Sequence, residues 1–374
     1  MIKSWSYKEE YKILRKPILK SIDKSLKTGN IFFGNELDKF ENNFKKLNNF
    51  KYGVAVGSGT DALYISLMAM NIGKGDEVIT VSNSAIPTVS AIYSVGASVK
   101  FVDVGKDYLI DADSIEKVIT RKTKAIIPVH LYGQACDMER ILKIANKYNL
   151  KVIEDCAQAQ GAKYKNRYVG NFGHTGCFSF YPTKILGAYG DGGFIGTNDK
   201  KLYQKINEIR FYGINQTNKK DKFFKKYYSN RHGINSRISE MQCSILNLKL
   251  PLVNTFISKR LRLANNYKKE LKNTSLSLPL QNKNCKHVFH LFVVFHPKRE
   301  VILKKLKAKK INLIINYPYP IHKMKGYKNI ATKTKLLNTE RFSKGIFSLP
   351  LYPGLNIKDQ LNFIKVLKDI LSKV

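Results

Sequence analysis

Through the first two thirds of the chain, short β-rich apolar runs alternate with stretches of helical periodicity. The pattern predicts strands over Tyr52–Val56, Glu77–Val81, Val99–Val104, Ala125–Val129, Lys151–Asp155, Gly176–Phe180 and Gly193–Thr197. Between several of them it predicts helices over Asp61–Met70, Ser114–Thr120 and Met138–Tyr148. Alternation of this kind argues for an α/β domain with a mostly parallel sheet flanked by helices. Strands of such sheets are buried on both faces and read as continuous apolar runs, as Ala125-Ile126-Ile127-Pro128-Val129 does. After about residue 250 the texture changes: a basic, helix-compatible stretch, Leu252–Leu271, leads into strand-like Val288–Phe295 and shorter mixed elements. We therefore expect a large α/β domain over 1–250, with an N-terminal arm, and a smaller C-terminal α+β domain over 251–374.

Composition narrows the class. Hydrophobic residues make up 43% of the 374 positions and charged residues 25%, which is globular and allows a sizeable core. Met1–Ile13 carries Lys3, Lys8, Glu9, Glu10 and Lys12 without a continuous apolar run, so it is not read as a signal peptide. Val78–Val99 is uncharged and long enough to span a membrane, but it contains Asn83, Pro87 and Gly96. It reads as a buried strand, loop and helix, and no transmembrane segment is expected. Cys136, Cys156, Cys177, Cys243 and Cys285 form no C-x-x-C pair and no metal-ligand pattern with the seven histidines. Such a scattered set suggests reduced thiols in a cytoplasm and no metal site.

The net charge of +37 raises nucleic-acid binding as an alternative function, since a basic surface attracts phosphates. The short basic runs Lys219–Lys226 and Lys304–Lys310 lie outside any recognisable nucleic-acid motif, which favours lysines spread over solvated faces. A positive surface would still gather an anionic substrate such as a sugar diphosphonucleotide.

Three constellations carry chemistry. In Val56-Gly57-Ser58-Gly59-Thr60-Asp61 a strand ends, small residues turn the chain and a helix begins near Thr60 or Asp61. Free amides of a first helical turn favour an anion, and a phosphate suits the place, although an ordinary capped turn would read the same way. In Val152-Ile153-Glu154-Asp155-Cys156 a buried strand runs into Asp155 as it leaves the sheet, where functional groups of open α/β folds gather. A carboxylate there could pair with a protonated ring nitrogen or simply cap the next segment. In Phe178-Ser179-Phe180-Tyr181-Pro182-Thr183-Lys184, followed by Gly187, Gly190, Gly192 and Gly193, a lysine sits in a glycine-rich loop beyond a strand. Desolvation there would lower its proton affinity, as a nucleophilic lysine requires.

The order of these pieces resembles the fold-type I aminotransferases that use pyridoxal 5′-phosphate (PLP), and most closely the nucleotide-sugar aminotransferases of the DegT/StrS type. Asp155 precedes Lys184 by 184 − 155 = 29 residues. The resemblance runs from Phe33-Gly34-Asn35-Glu36 through Gly75-Asp76-Glu77-Val78 and Pro128-Val129-His130-Leu131-Tyr132-Gly133. It continues to Gly233-Ile234-Asn235-Ser236-Arg237, Glu240, Gln242, His287-Val288-Phe289-His290 and Ser348-Leu349-Pro350. It implies that Lys184 carries PLP on its amine and moves protons, that Asp155 pairs with the pyridine nitrogen, and that Gln158 lies near the phenolic oxygen. Ser179 with the backbone of Gly59 and Thr60 would hold the phosphate. Asn235 would reach that phosphate from a partner subunit, which implies a homodimer with shared active sites. An amino donor, L-glutamate, and a nucleotide-linked keto sugar would be the substrates, for amino-sugar or polysaccharide biosynthesis. Sugar dehydratases related to the family replace the lysine with histidine, so Lys184 favours transamination.

Two positions depart from the resemblance. Ala85 stands where many relatives have an aromatic side chain stacked on the cofactor, and Asn316 where they often have histidine. The segment Ser82–Ala91 and the Pro182-Thr183-Lys184 context look more like enzymes acting at C3 of dTDP keto sugars than like the perosamine-synthase type acting at C4.

Overall fold

The computed structural model describes residues 3–215, 227–330 and 335–374. The basic run Lys219–Lys226 lies outside the described residues.

Two helices, α1 (Lys8–Lys27) and α2 (Asn35–Leu47), precede the sheet. The orphan amides at the start of α2 are satisfied from far away: the Glu240 carboxylate accepts from the backbone amides of Gly34, Glu36 and Leu37 at 2.9, 2.8 and 3.1 Å. The chain then alternates β1 (Tyr52–Val56), α3 (Gly59–Ala69), β2 (Glu77–Val81), α4 (Ile86–Ser94) and β3 (Ser98–Val102). It continues with α5 (Ala112–Ile115), β4 (Thr123–Ile126), α6 (Met138–Lys147), β5 (Lys151–Asp155), β6 (Lys163–Tyr164), β7 (Arg167–Tyr168), β8 (Thr175–Ser179) and β9 (Gly193–Thr197). All seven strands expected from the sequence join one sheet, in the order β1-β9-β8-β5-β4-β2-β3. Only β9 runs against the rest, pairing antiparallel with β1 and with β8. The fold is therefore the expected α/β architecture.

Where expectation and structure differ, a local cause is visible. β4 ends at Ile126, although sheet contacts continue through Ile127, whose amide donates to the Ile79 carbonyl at 2.8 Å. Pro128 has no amide to contribute, and the ladder resumes only as a bridge from Val129 to Asp155. The helix expected over Ser114–Thr120 is instead one turn of α5, capped by Asp111, followed by a 3₁₀ turn over Glu116–Val118. The Ile119 backbone is already extended, and this ends it.

The remaining elements are α7 (Lys200–Ile209), α8 (Glu240–Lys249), α9 (Val253–Leu271), β10 (Cys285–Lys286), β11 (Phe292–Phe295), α10 (Arg299–Ala308), α11 (Leu337–Ser343), β12 (Ile346–Leu349) and α12 (Ile357–Leu371). β11 pairs antiparallel with β12. The strand expected from Val288 starts only at Phe292 because Phe289 adopts a left-handed backbone, φ 48°. That kink meets a second one. Gly133, φ +103°, lies so close that a Cβ there would sit 2.8 Å from the His290 amide nitrogen, so only glycine fits. Apolar side chains form one cluster on each face of the large sheet and a third among α9, β11, β12, α10 and α12. Helix α9 serves two of them: Val253, Phe256 and Ile257 pack into the large core, Leu263, Tyr267 and Leu271 into the third.

Lys304 and Lys307 are exposed on α10, whose Ile302 and Leu306 are buried, and Lys309 and Lys310 are exposed just beyond its end, so this basic run is solvated. Among the described residues no helix is long and apolar enough to cross a membrane.

Candidate active site

The carboxyl ends of β1, β2, β5 and β8 open on one cavity of about 310 Å³. Ser58, Gly59 and Thr60 enter it from the start of α3, Ser84, Ala85 and Thr88 from the β2–α4 connection, and Asp155 and Gln158 from the end of β5. Ser179, Tyr181 and Lys184 enter from β8 and its loop. Six of the seven residues singled out in the sequence are thus neighbours around one space.

At the mouth of α3, the Ser58 hydroxyl accepts from the Asp61 amide at 3.1 Å, which fixes the helix start. The amides of Gly59 and Thr60 belong to the first turn, where no intrahelical acceptor exists. Gly59 must lack a side chain, because a Cβ would lie 2.7 Å from the Cβ of Ser179. Two first-turn amides and the Ser179 hydroxyl therefore line one end of the cavity, a donor set that matches a phosphate monoester.

Asp155 is 5% exposed and its carboxylate only accepts. The Thr88 hydroxyl donates to Oδ2 at 2.8 Å and the Ala157 amide to Oδ1 at 3.1 Å. Because the Thr88 proton is committed there, the contact between Ser84 and Thr88 hydroxyls, 2.9 Å, has Ser84 as donor. The relay Ser84 to Thr88 to Asp155 was not legible in the sequence, although all three residues lie in motifs noted there. Replacing Thr88 with valine removes a hydrogen bond to a charged group, worth about 1.5–3 kcal/mol. We expect Thr88→Val to lower kcat by about 10–100-fold with the fold intact, as measured by steady-state turnover and thermal melting.

The amine of Lys184 is enclosed by protein, although the residue borders the cavity. Desolvation pushes its pKa down to about 8, and the nearby Asp155 charge works in the opposite direction. Its loop is clamped: the Leu186 amide donates to the Gln160 side chain at 2.6 Å, and Gln160 donates back to the Ser179 carbonyl at 2.8 Å. Gln160 is buried and was missed by sequence reasoning; its spacing from Gln158 is the only hint. Gln158 bridges the Tyr132 amide, from which it accepts at 2.9 Å, and the Tyr317 hydroxyl, to which it donates at 2.8 Å. Burial pushes the Tyr317 phenol up to about 12, so it stays a donor.

Asn235 stands apart. It is exposed, joined through its backbone to Phe211, and does not line the cavity of its own chain. At the two departures, Ala85 lies at the cavity wall as the residue before α4, and the Asn316 side-chain oxygen is held by the Ser348 hydroxyl at 2.9 Å.

Behind the cavity the fold brings His130, Glu154 and Cys156 within 4.8 Å of one another, a grouping invisible in the sequence. The carboxylate and the imidazole are already engaged. Glu154 accepts from the amides of Gly170, Phe172 and Gly173 at 2.6–2.7 Å and from His130, whose other ring nitrogen accepts from the Cys136 amide. The group anchors the 170–173 loop and is not built as a metal centre.

A desolvated lysine within reach of a carboxylate's charge, with a phosphate cradle lining the same cavity, fits PLP, and comparison with known proteins agrees. The DegT/DnrJ/EryC1/StrS aminotransferase family matches residues 12–368. The chain belongs to that family. It is 39% identical over 376 residues to dTDP-3-amino-3,4,6-trideoxy-alpha-D-glucose transaminase of Micromonospora megalomicea subsp. nigra, covering 98% of each chain. It is 42% identical over 343 residues to dTDP-3-amino-3,6-dideoxy-alpha-D-galactopyranose transaminase of Aneurinibacillus thermoaerophilus, covering 91% of this chain and 92% of that one. The solved structure of DesV from S. venezuelae superposes with a TM-score of 0.94 at 33% identity, covering 100% of this chain and 99% of that one. The protein is a PLP-dependent aminotransferase of fold type I, as the sequence implied.

Proposed function

We propose that this aminotransferase moves an amino group from L-glutamate to a dTDP-linked 3-keto-6-deoxyhexose, in the cytoplasm, for amino-sugar or polysaccharide biosynthesis. The observation that carries the catalytic part is the enclosed Lys184 amine beside Asp155 in the cavity capped by Gly59 and Thr60. The sugar assignment is supported by the two relatives above, both named for 3-amino products.

In this reading the Gly59 and Thr60 amides with Ser179 hold the phosphate of PLP, and Asp155 faces the ring nitrogen. Gln158 is fixed beside the ring by Tyr132 and Tyr317. Bound PLP supplies an electron sink for the carbon that carries the nitrogen. The Lys184 amine then takes the proton from the donor's Cα and, in the second half-reaction, delivers a proton to the sugar carbon. Asn235, exposed in its own chain, completes the phosphate site of a second copy, so the working unit is a homodimer. The division into a large domain over 1–250 and a small one over 251–374 belongs to the same reading and draws support from the separate third apolar cluster.

The amine of Lys184 reacts only when neutral. In the cofactor-free chain it is mostly protonated below about 8 and mostly neutral above. Uptake of PLP should therefore quicken about tenfold per pH unit below that value and level off above it, as followed by the growth of visible absorbance. The substrate is tested by supplying dTDP-3-keto- and dTDP-4-keto-6-deoxyhexose with L-glutamate and reading the product by mass spectrometry and NMR. A 3-amino sugar is expected; amination at C4 alone would overturn the assignment.

A further inference from the structure

The segment that bears Lys184 is held from behind by charges that the reaction scheme does not use. Lys249, on α8, is 2% exposed and donates its ammonium to the Gly187 carbonyl, three residues beyond Lys184. Position 187 must be glycine, since a Cβ there would lie 2.5 Å from the Pro182 carbonyl oxygen. The carboxylate that balances Lys249 comes from the N-terminal helix: Glu10 Oε1 lies 2.7 Å from the Lys249 ammonium. The same oxygen accepts from the Tyr189 hydroxyl at 3.1 Å, and the Tyr189 ring lies 5.0 Å from the Lys249 ammonium. At its far end the segment is tied by the Tyr189 amide, which donates to Gln242 at 3.0 Å.

Glu10 carries a double load. Arg260 is 1% exposed, and its hydrogen bonds among the described residues go to the carbonyls of Phe289, His290 and Leu351, at 3.5, 3.0 and 3.0 Å. Its Nε has no partner there, and Glu10 is the acidic group whose charge bears on it. One carboxylate therefore acts on two desolvated cations, Lys249 by direct contact and Arg260 through its charge alone. A buried cation that loses its counter-charge either gives up its proton or draws in water, and both would loosen what it holds.

We propose that Glu10, through Lys249 and the Gly187 carbonyl, is a positioning residue that sets Lys184 against the cofactor, making the N-terminal helix part of the active-site apparatus. The proposal rests on Lys184 being the residue that carries PLP. A scaffold role for Glu10 would affect only melting; a positioning role also affects the cofactor, because small displacements at a reacting group are strongly felt.

The test titrates cofactor-free wild type, Glu10→Gln, Glu10→Gln/Lys249→Met and Lys184→Ala with PLP, following visible absorbance, and melts each protein. We expect Glu10→Gln to melt lower, to bind PLP at least about tenfold more weakly and to shift the absorption maximum. The double variant buries no unpaired lysine, so it should regain part of the melting temperature lost by Glu10→Gln, though not all, because Arg260 still lacks the Glu10 charge; binding stays weak, since the Gly187 carbonyl has lost its donor. If Glu10→Gln fails to fold, the double variant decides. Wild-type affinity and absorption maximum in a folded Glu10→Gln or in the double variant would overturn the proposal. No PLP binding by wild type, or an unaltered band in Lys184→Ala, would instead overturn the assignment of Lys184.

Discussion

Lys184→Ala should abolish turnover while leaving the fold in place. The amine makes no ion pair or hydrogen bond within the described chain; what acts on it is desolvation, opposed by the charge of Asp155. Truncating it removes an enclosed cation that burial disfavours, so the cofactor-free variant should melt within a few degrees of wild type. Chemistry has no such substitute. Positioned proton transfer alone contributes about 10²–10⁴ in rate, and the covalent hold on the cofactor is lost as well. We therefore expect a fall of about 10⁴-fold or more, together with loss of the visible band that glutamate bleaches in wild type. Near-normal rates in a folded Lys184→Ala protein would remove this lysine from the mechanism.

How much of this was written in the chain depends on the range of each contact. The seven sheet strands were legible because parallel strands are buried on both faces and their apolar runs are continuous. That Asp155 and Lys184 would come together was suggested by Asp155 closing β5 and by Lys184 lying in the glycine-rich loop beyond β8, whereas Ser179 entered only through the family resemblance. Thr88 was not, because its partner Asp155 is 67 residues away and nothing near it marks a donor. Glu10 and Lys249 were hidden for the same reason: in sequence each is one charge among many in a chain of net charge +37. Their burial singles them out, and burial is a property of the packed chain. The strand start at Phe292 was misjudged because the left-handed turn at Phe289 answers to Gly133, over 150 residues earlier by number, rather than to its own neighbours.

Asp155→Asn should separate two functions of one carboxylate. The amide has the same size; its oxygen can still accept from the Ala157 amide while its nitrogen donates to the Thr88 hydroxyl, whose proton then turns to Ser84, so both contacts, now 3.1 and 2.8 Å, are kept and the fold should hold. It no longer offers a negative charge to a protonated ring nitrogen. Losing one partner of a buried charge pair costs about 3–5 kcal/mol, or about 10²–10⁴ in rate. The same charge raises the proton affinity of Lys184 against the stronger pull of desolvation. Without it the lysine pKa must fall further below about 8, and the neutral amine then persists to lower pH. The midpoint of PLP uptake should therefore move to lower pH while kcat falls. A purely structural defect would slow both and leave the midpoint where it was. Stopped-flow absorbance across pH 6–9 reads the midpoint, and steady-state turnover reads the loss. A variant with an unmoved midpoint and near-normal kcat would show that Asp155 faces neither Lys184 nor the cofactor ring in the working enzyme.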